Sequence, residues 1–145
     1  THSTYAANPI GTRAGYEVMS IFDEERKELE SEIARKGAKF LDGLKALEKK
    51  YKNIGTVNGL GFALSVEVTE ADRFTPAREL CDEIIEAGLK GDLTYKGKKC
   101  GLILNNGGYF KNIITLVPQL YISDEEIDMA LELMDQLFDR YMEKA

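Results

Sequence analysis

Apolar residues recur along this chain at two spacings, and the changes of spacing mark out its elements. From Pro9 to about Phe22, Gly11, Ala14, Gly15 and Val18 fall at i, i+3, i+4 and i+7, which predicts a first helix. Asn8 suits its N-cap, and Pro9 its first helical position, where a missing N–H costs nothing. Glycine inside a helix costs about 1 kcal/mol relative to alanine, so this face is expected to meet another backbone closely. A second helix is predicted from roughly Glu24 to Tyr51. Ile33, Gly37, Phe40, Leu41, Leu44, Leu47 and Tyr51 keep one apolar stripe there, and Asn53 and Gly55 are expected to end it.

The period then falls to two. After Gly55 to Gly61, the run Phe62 to Val68 alternates like a half-buried strand. Thr75-Pro76 is expected to open a third helix and Gly88 to close it, after Leu80, Ile84 and Ile85. Short strands are predicted near Gly101 to Leu104 and Ile113 to Val117, separated by a loop at Asn105-Asn106-Gly107-Gly108. Ser123 and Glu126 form a capping box before a last helix carrying Ile127, Ala130, Leu131, Met134, Leu137, Phe138 and Tyr141. The expected fold class is α+β: a small, mainly antiparallel sheet covered by helices on one face.

Composition narrows the function. A chain of 145 residues, 43% hydrophobic and 30% charged, suits one domain with a real core. Its apolar runs, such as Leu102-Ile103-Leu104, are too short to span a bilayer, so no membrane partner is expected. A net charge of −6 argues against nucleic acid. Cys81 and Cys100 have no metal-type spacing, and His2 is the only histidine, which leaves a zinc site or a histidine triad without ligands. A reducing, cytoplasmic setting is the simple expectation.

Several chemical signals have a plainer reading. Gly59-Leu60-Gly61 looks like part of a dinucleotide fingerprint, but Leu64 stands where its last glycine belongs and a strand follows; a turn between strands is expected. Asp124, Glu125, Glu126 and Asp128 occupy the first turn of a helix, where carboxylates offset the dipole. Lys90 to Lys99 holds several lysines but also Asp92 and glycines, and reads as a solvated loop. One candidate remains, the Ser3-Thr4 turn ahead of the Asn8-Pro9 helix start. Its hydroxyls beside a helix N-terminus could seat an anion such as phosphate, or simply cap the helix.

The segment His2-Ser3-Thr4-Tyr5-Ala6-Ala7-Asn8-Pro9 resembles the "G-S-T-F-x-G-N-P" segment of class III aminotransferases, pyridoxal-phosphate enzymes of fold type I. Val57 to Glu67 resembles that family's "V-R-G-x-G-L-M-x-G-I-E", Ile113 to Leu120 its "V-I-R-L-x-P-P-L", and Ser123 to Asp128 its "T-E-E-E-I-D". The resemblance covers nearly the whole chain. It implies the family's C-terminal small domain (24–145) preceded by a phosphate-contact loop and a long interdomain helix (1–23). The partners it implies are the protein's own large domain and a second subunit of a homodimer. Thr4, with Ser3 beside it, would reach the cofactor phosphate of the partner subunit.

The absence of a starting Met fits a piece of something larger, and the resemblance places the Schiff-base lysine before Thr1. No residue of this chain is therefore expected to be catalytic, and the fragment alone is expected to be inactive. The whole protein would pass an amino group from an amine or amino acid, such as 2,4-diaminobutyrate, to a 2-oxo acid. A decarboxylating or isomerising relative on the same fold is a near alternative, and a free-standing α+β binding or regulatory module is the alternative of another class. Thr115 stands where many members carry the arginine that grips the substrate carboxylate, and its hydroxyl cannot copy that bidentate clamp. Thr115 is held as a substrate-facing candidate, a strand residue without contacts being the other reading.

Overall fold

The computed structural model describes residues 8–145. Its first element is one uninterrupted helix, α1 (Pro9–Lys50), where two were expected. Nothing at the predicted break stops a helix: residues 22–30 read Phe-Asp-Glu-Glu-Arg-Lys-Glu-Leu-Glu, without glycine or proline. What changes is the neighbour. Gly11, Ala14, Gly15 and Val18 are all exposed, and the first buried residue is Leu29. From there the expected stripe of Gly37, Phe40, Leu44, Leu47 and Tyr51 turns inward. At 1.5 Å per residue the helix is about 60 Å long, so its N-terminal half is an arm standing off the body.

Asn8 caps this arm as expected. Its Oδ1 accepts the N–H of Ile10 (3.0 Å) and of Gly11 (3.4 Å), and its carbonyl accepts the N–H and hydroxyl of Thr12. The far end corrects the expected stop. Tyr51 ends the helix in an extended conformation, so no left-handed glycine is needed. Asn53 instead lies buried, donating its amide to Thr69 O and accepting the Glu143 N–H, which ties the two ends of the body together.

Strands β1 (Ile54–Leu60) and β2 (Ala63–Val68) form a hairpin turning at Gly61-Phe62. The glycine is required there, since Gly61 has φ +56°. Helix α2 (Arg78–Leu89) follows, later than expected. Asp72 takes the Thr75 hydroxyl and the N–H of Phe74 and Thr75 into a turn, so Thr75 caps no helix, and Ala77 at the N-cap donates no side chain. Gly88 does not stop the helix either; it lies inside, pressed on the Leu102 carbonyl. Lys90 to Lys99, expected as loop, is a hairpin of β3 (Leu93–Tyr95) and β4 (Lys98–Cys100). Its turn residues Lys96 and Gly97 both have positive φ, matching strand twist. Periodicity missed it because only Leu93 is buried; Gln136 holds it by bonding both the N–H and the carbonyl of Thr94.

The next strand is shifted as well. Residues 101–104 are unpaired, and β5 is Asn105–Gly107, part of the expected loop, beside β6 (Ile113–Leu116). The sheet order is β1-β2-β6-β5, antiparallel throughout. Leu64, Val66, Val68 and Ile114 face the core, where they meet Phe40 and Leu44 of α1 and Ile84 of α2. The last helix, α3 (Asp124–Tyr141), carries the expected capping box and adds Ile127, Met134, Leu137 and Phe138 to the same core. The helices thus cover one face of the sheet, as the sequence pattern requires.

Ion pairs zip α1 to α3. Arg35 grips Asp124 with two hydrogen bonds (3.1 and 2.8 Å), Lys39 reaches Asp128 (2.7 Å) and Lys50 reaches Asp135 (2.6 Å). The Arg35 guanidinium holds the Asp124 carboxyl down at about 2. The Tyr51 phenol donates to Asp135 Oδ1 (2.6 Å), and burial together with that carboxylate pushes its pKa up to about 12.

Candidate small-molecule face

Ser3 and Thr4 lie outside the described residues. What the structure describes is the helix end they precede, and it alters the anion argument. The amides of Ile10 and Gly11 already point at Asn8 Oδ1, so the first turn of α1 does not offer those two donors to a phosphate. Two of the other plain readings hold. Gly59-Leu60-Gly61 is the closing end of the β1–β2 hairpin, and the acidic run sits in the first turn of α3, paired with Arg35 and Lys39. Among the described residues no group of three or more His, Cys, Asp or Glu side chains is placed to hold a metal ion. Both cysteines are free; Cys81 is buried, and burial pushes its thiol up to about 11.

Thr115 lies on the face of the sheet that the helices leave uncovered. It pairs with Ser65 of β2 on one side and Asn105 of β5 on the other, while Ser65 pairs with Asn58 of β1. Residues directly opposite in antiparallel strands point to the same face, so Asn58, Ser65, Thr115 and Asn105 form one cross-strand row of uncharged polar groups. Sequence reading named only Thr115. Asn105 was hidden in a supposed loop, and the row exists only through strand register, which single-chain periodicity cannot supply.

At the β5–β6 end of this row the chains splay apart, because 101–104 and Val117-Pro118 leave the ladder. A cleft of about 270 Å³ opens between them. Its floor is Phe40, Ile122, Ala130 and Met134, its only hydrogen-bonding side chains are Asn105 and Thr115, and none of its lining residues is charged. Ile103 (86% exposed) and Val117 (73%) flank it as apolar shoulders.

Pyridoxal phosphate requires an amine for its aldehyde, a partner for its ring nitrogen and donors for its phosphate. The uncharged cleft does not meet that requirement by itself. Lys39, Lys50 and Lys96 are each tied to a carboxylate, and the uncharged cleft holds neither a lysine nor an acid.

A projecting helical arm, a one-sided antiparallel sheet and an uncharged cleft at its edge define an α+β unit with its helices on one sheet face. Residues 1–138 match the family model of class-III aminotransferases, and the chain belongs to that family. It is 34% identical over 137 residues to the 4-aminobutyrate aminotransferase GabT of Escherichia coli, covering 94% of this chain and 30% of that protein. Against the 5-aminovalerate aminotransferase DavT of Pseudomonas putida it is 32% identical over 135 residues, covering 93% and 29%. In three dimensions it matches an (S)-enantioselective omega-transaminase from Thermomicrobium roseum with a TM-score of 0.73 and 26% identity, over 99% of this chain and 30% of the other. The chain therefore spans under a third of the length of these relatives.

Proposed function

We propose that this chain is the C-terminal domain of a pyridoxal-phosphate-dependent aminotransferase that moves an amino group from a terminal-amine donor to a 2-oxo acid. One observation carries the reading: a family match along residues 1–138 that takes up only 30% of a relative such as GabT. A catalytic lysine and a partner for the ring nitrogen then belong to the remainder of the protein. The names of the relatives point to donors bearing a terminal amine, 4-aminobutyrate and 5-aminovalerate among them; 2,4-diaminobutyrate shares that group. When bound, the cofactor supplies the electron sink for amino transfer.

In this reading residues 1–23 are the phosphate-contact loop and the interdomain helix, and 24–145 the small domain. The exposed arm of α1, with Ile10, Tyr16 and Met19 uncovered, supports an assignment to contacts outside this unit, with the large domain and a second subunit of a cytoplasmic homodimer. Ser3 and Thr4 contribute hydroxyls to the cofactor phosphate. With the Ile10 and Gly11 amides occupied by Asn8, that duty falls on side chains more than on the helix end.

The test is made in the full-length protein. Thr4→Ala is expected to weaken cofactor binding by about 1.5–3 kcal/mol, the worth of a hydrogen bond to a charged group, read by titrating the cofactor's absorbance. Unchanged affinity removes Thr4 from the site. The 145-residue chain alone is expected to show no transamination with added cofactor, and robust turnover there refutes the assignment.

A further inference from the structure

Resting on the aminotransferase reading, we infer that this domain presents donors with an uncharged hydrogen-bonding surface, and that Asn105 acts with Thr115 as a specificity pair for substrates whose end remote from the reacting amine is neutral. The two side chains are in register across β5 and β6, point to the open face and are the only hydrogen-bonding side chains lining the cleft of about 270 Å³. Asn105 brings a carboxamide, donor and acceptor together, and Thr115 a hydroxyl that does either. Ser65 and Asn58 continue the row with neutral groups, while Ile103 and Val117 offer apolar surface to a carbon chain.

Charge decides between the possible occupants. A carboxylate seated here meets no cation in the cleft, so whatever hydration it gives up is not replaced by an opposite charge. Glu67, two residues from Ser65 along β2, lies on the same face, and its sign repels a carboxylate. A primary amide of the same shape exchanges its water contacts for Asn105 and Thr115 at no such cost. Other clefts of this chain differ: those at Lys96–Glu125 and at Glu25–Lys36 are lined by charged groups.

The experiment uses full-length protein loaded with cofactor, pyruvate as acceptor, and two donors alike in shape but not in charge, 4-aminobutyrate and 4-aminobutanamide. Wild type is expected to favour the amide in kcat/KM by about tenfold or more, the effect of leaving a carboxylate unpaired. Asn105→Ala and Thr115→Val each remove one neutral hydrogen bond and are expected to raise KM for the amide by about 3–10-fold. In both variants KM for 4-aminobutyrate is expected to rise less than KM for the amide. Thr115→Arg introduces a bidentate partner and is expected to reverse the preference. Circular dichroism and thermal melts confirm that each variant is folded; the exposed Thr115→Val keeps the test open if Thr115→Arg is not. A wild type that favours 4-aminobutyrate, or variants that move both donors alike, overturns the specificity pair while leaving the aminotransferase intact. No transfer from any amine, including 5-aminovalerate and 2,4-diaminobutyrate, overturns the aminotransferase reading and the inference with it.

Discussion

The same substitution, glycine to alanine, is expected to have opposite signs at different places on α1. In an open helix interior alanine is favoured by about 1 kcal/mol. Gly15 is such a place, because a Cβ built there meets nothing within 4 Å. At Gly37 the helix lies directly against the β1–β2 turn. A Cβ there collides with the Gly61 carbonyl oxygen and comes within 2.7 Å of its carbon and 2.8 Å of its Cα. Both sides of that contact are backbone, and Gly61 is held at φ +56° by the hairpin, so neither side yields cheaply. Overpacking costs about 1–3 kcal/mol, and the rigid contact places Gly37→Ala in the upper half of that range. Subtracting the helix preference leaves a net loss of about 1–2 kcal/mol, or roughly 3–6 °C in Tm for a chain of this size. Gly43 is an internal control, since its obstacle is the methyl end of Leu131, which can rotate away; Gly43→Ala is expected to lose less than Gly37→Ala. Urea unfolding followed by circular dichroism measures the last two, and amide exchange across residues 12–19 reads the gain at Gly15. A Gly37→Ala variant as stable as wild type, or more so, refutes the close approach of helix and hairpin.

Two pH responses follow from named contacts. The Asp124 carboxyl, depressed to about 2 by the Arg35 guanidinium, contributes stability that is complete above its unfolded value near 3.8 and disappears as pH falls through about 2. The stability gap between wild type and Asp124→Asn is therefore expected to shrink between about pH 4 and 2, and a gap that is constant across that window contradicts the α1–α3 clamp. Tyr51 moves the other way: raised to about 12 by burial and the Asp135 carboxylate, it contributes stability below pH 10 that is lost as pH rises towards 12. Relative to Tyr51→Phe, the wild-type urea midpoint is expected to decline across that alkaline window, and parallel profiles rule the buried hydrogen bond out.

Much of the secondary structure can be read along the chain because it rests on local rules. Asn8-Pro9 and Ser123-x-x-Glu126 start helices through their own side chains, and both caps form as the residues dictate. The stripe from Gly37 to Tyr51 is buried because apolar positions at helical spacing have one face to bury. Errors arise where a competing partner, near or distant in sequence, outweighs the local signal. Thr75 is an able N-cap, but Asp72 engages its hydroxyl first. Gly88 is a plausible stop, but the carbonyl of Leu102 requires a residue without Cβ inside the helix. The β3–β4 hairpin is held by Gln136 of α3, some forty residues away, and leaves no alternation to detect.

The candidate face divides in the same way. Sequence alone determined the family likeness, the scarcity of histidine and cysteine, the helix starts and the uncharged character of position 115, because residue identity and short spacing suffice for each. Tertiary structure decided that the N-terminal part of α1 stands off the body as an arm and that Asn105 stands next to Thr115 over an uncharged cleft. The physical reason is that strand register and helix packing join residues through contacts whose partners lie tens of positions apart, and no local pattern encodes which of them will meet.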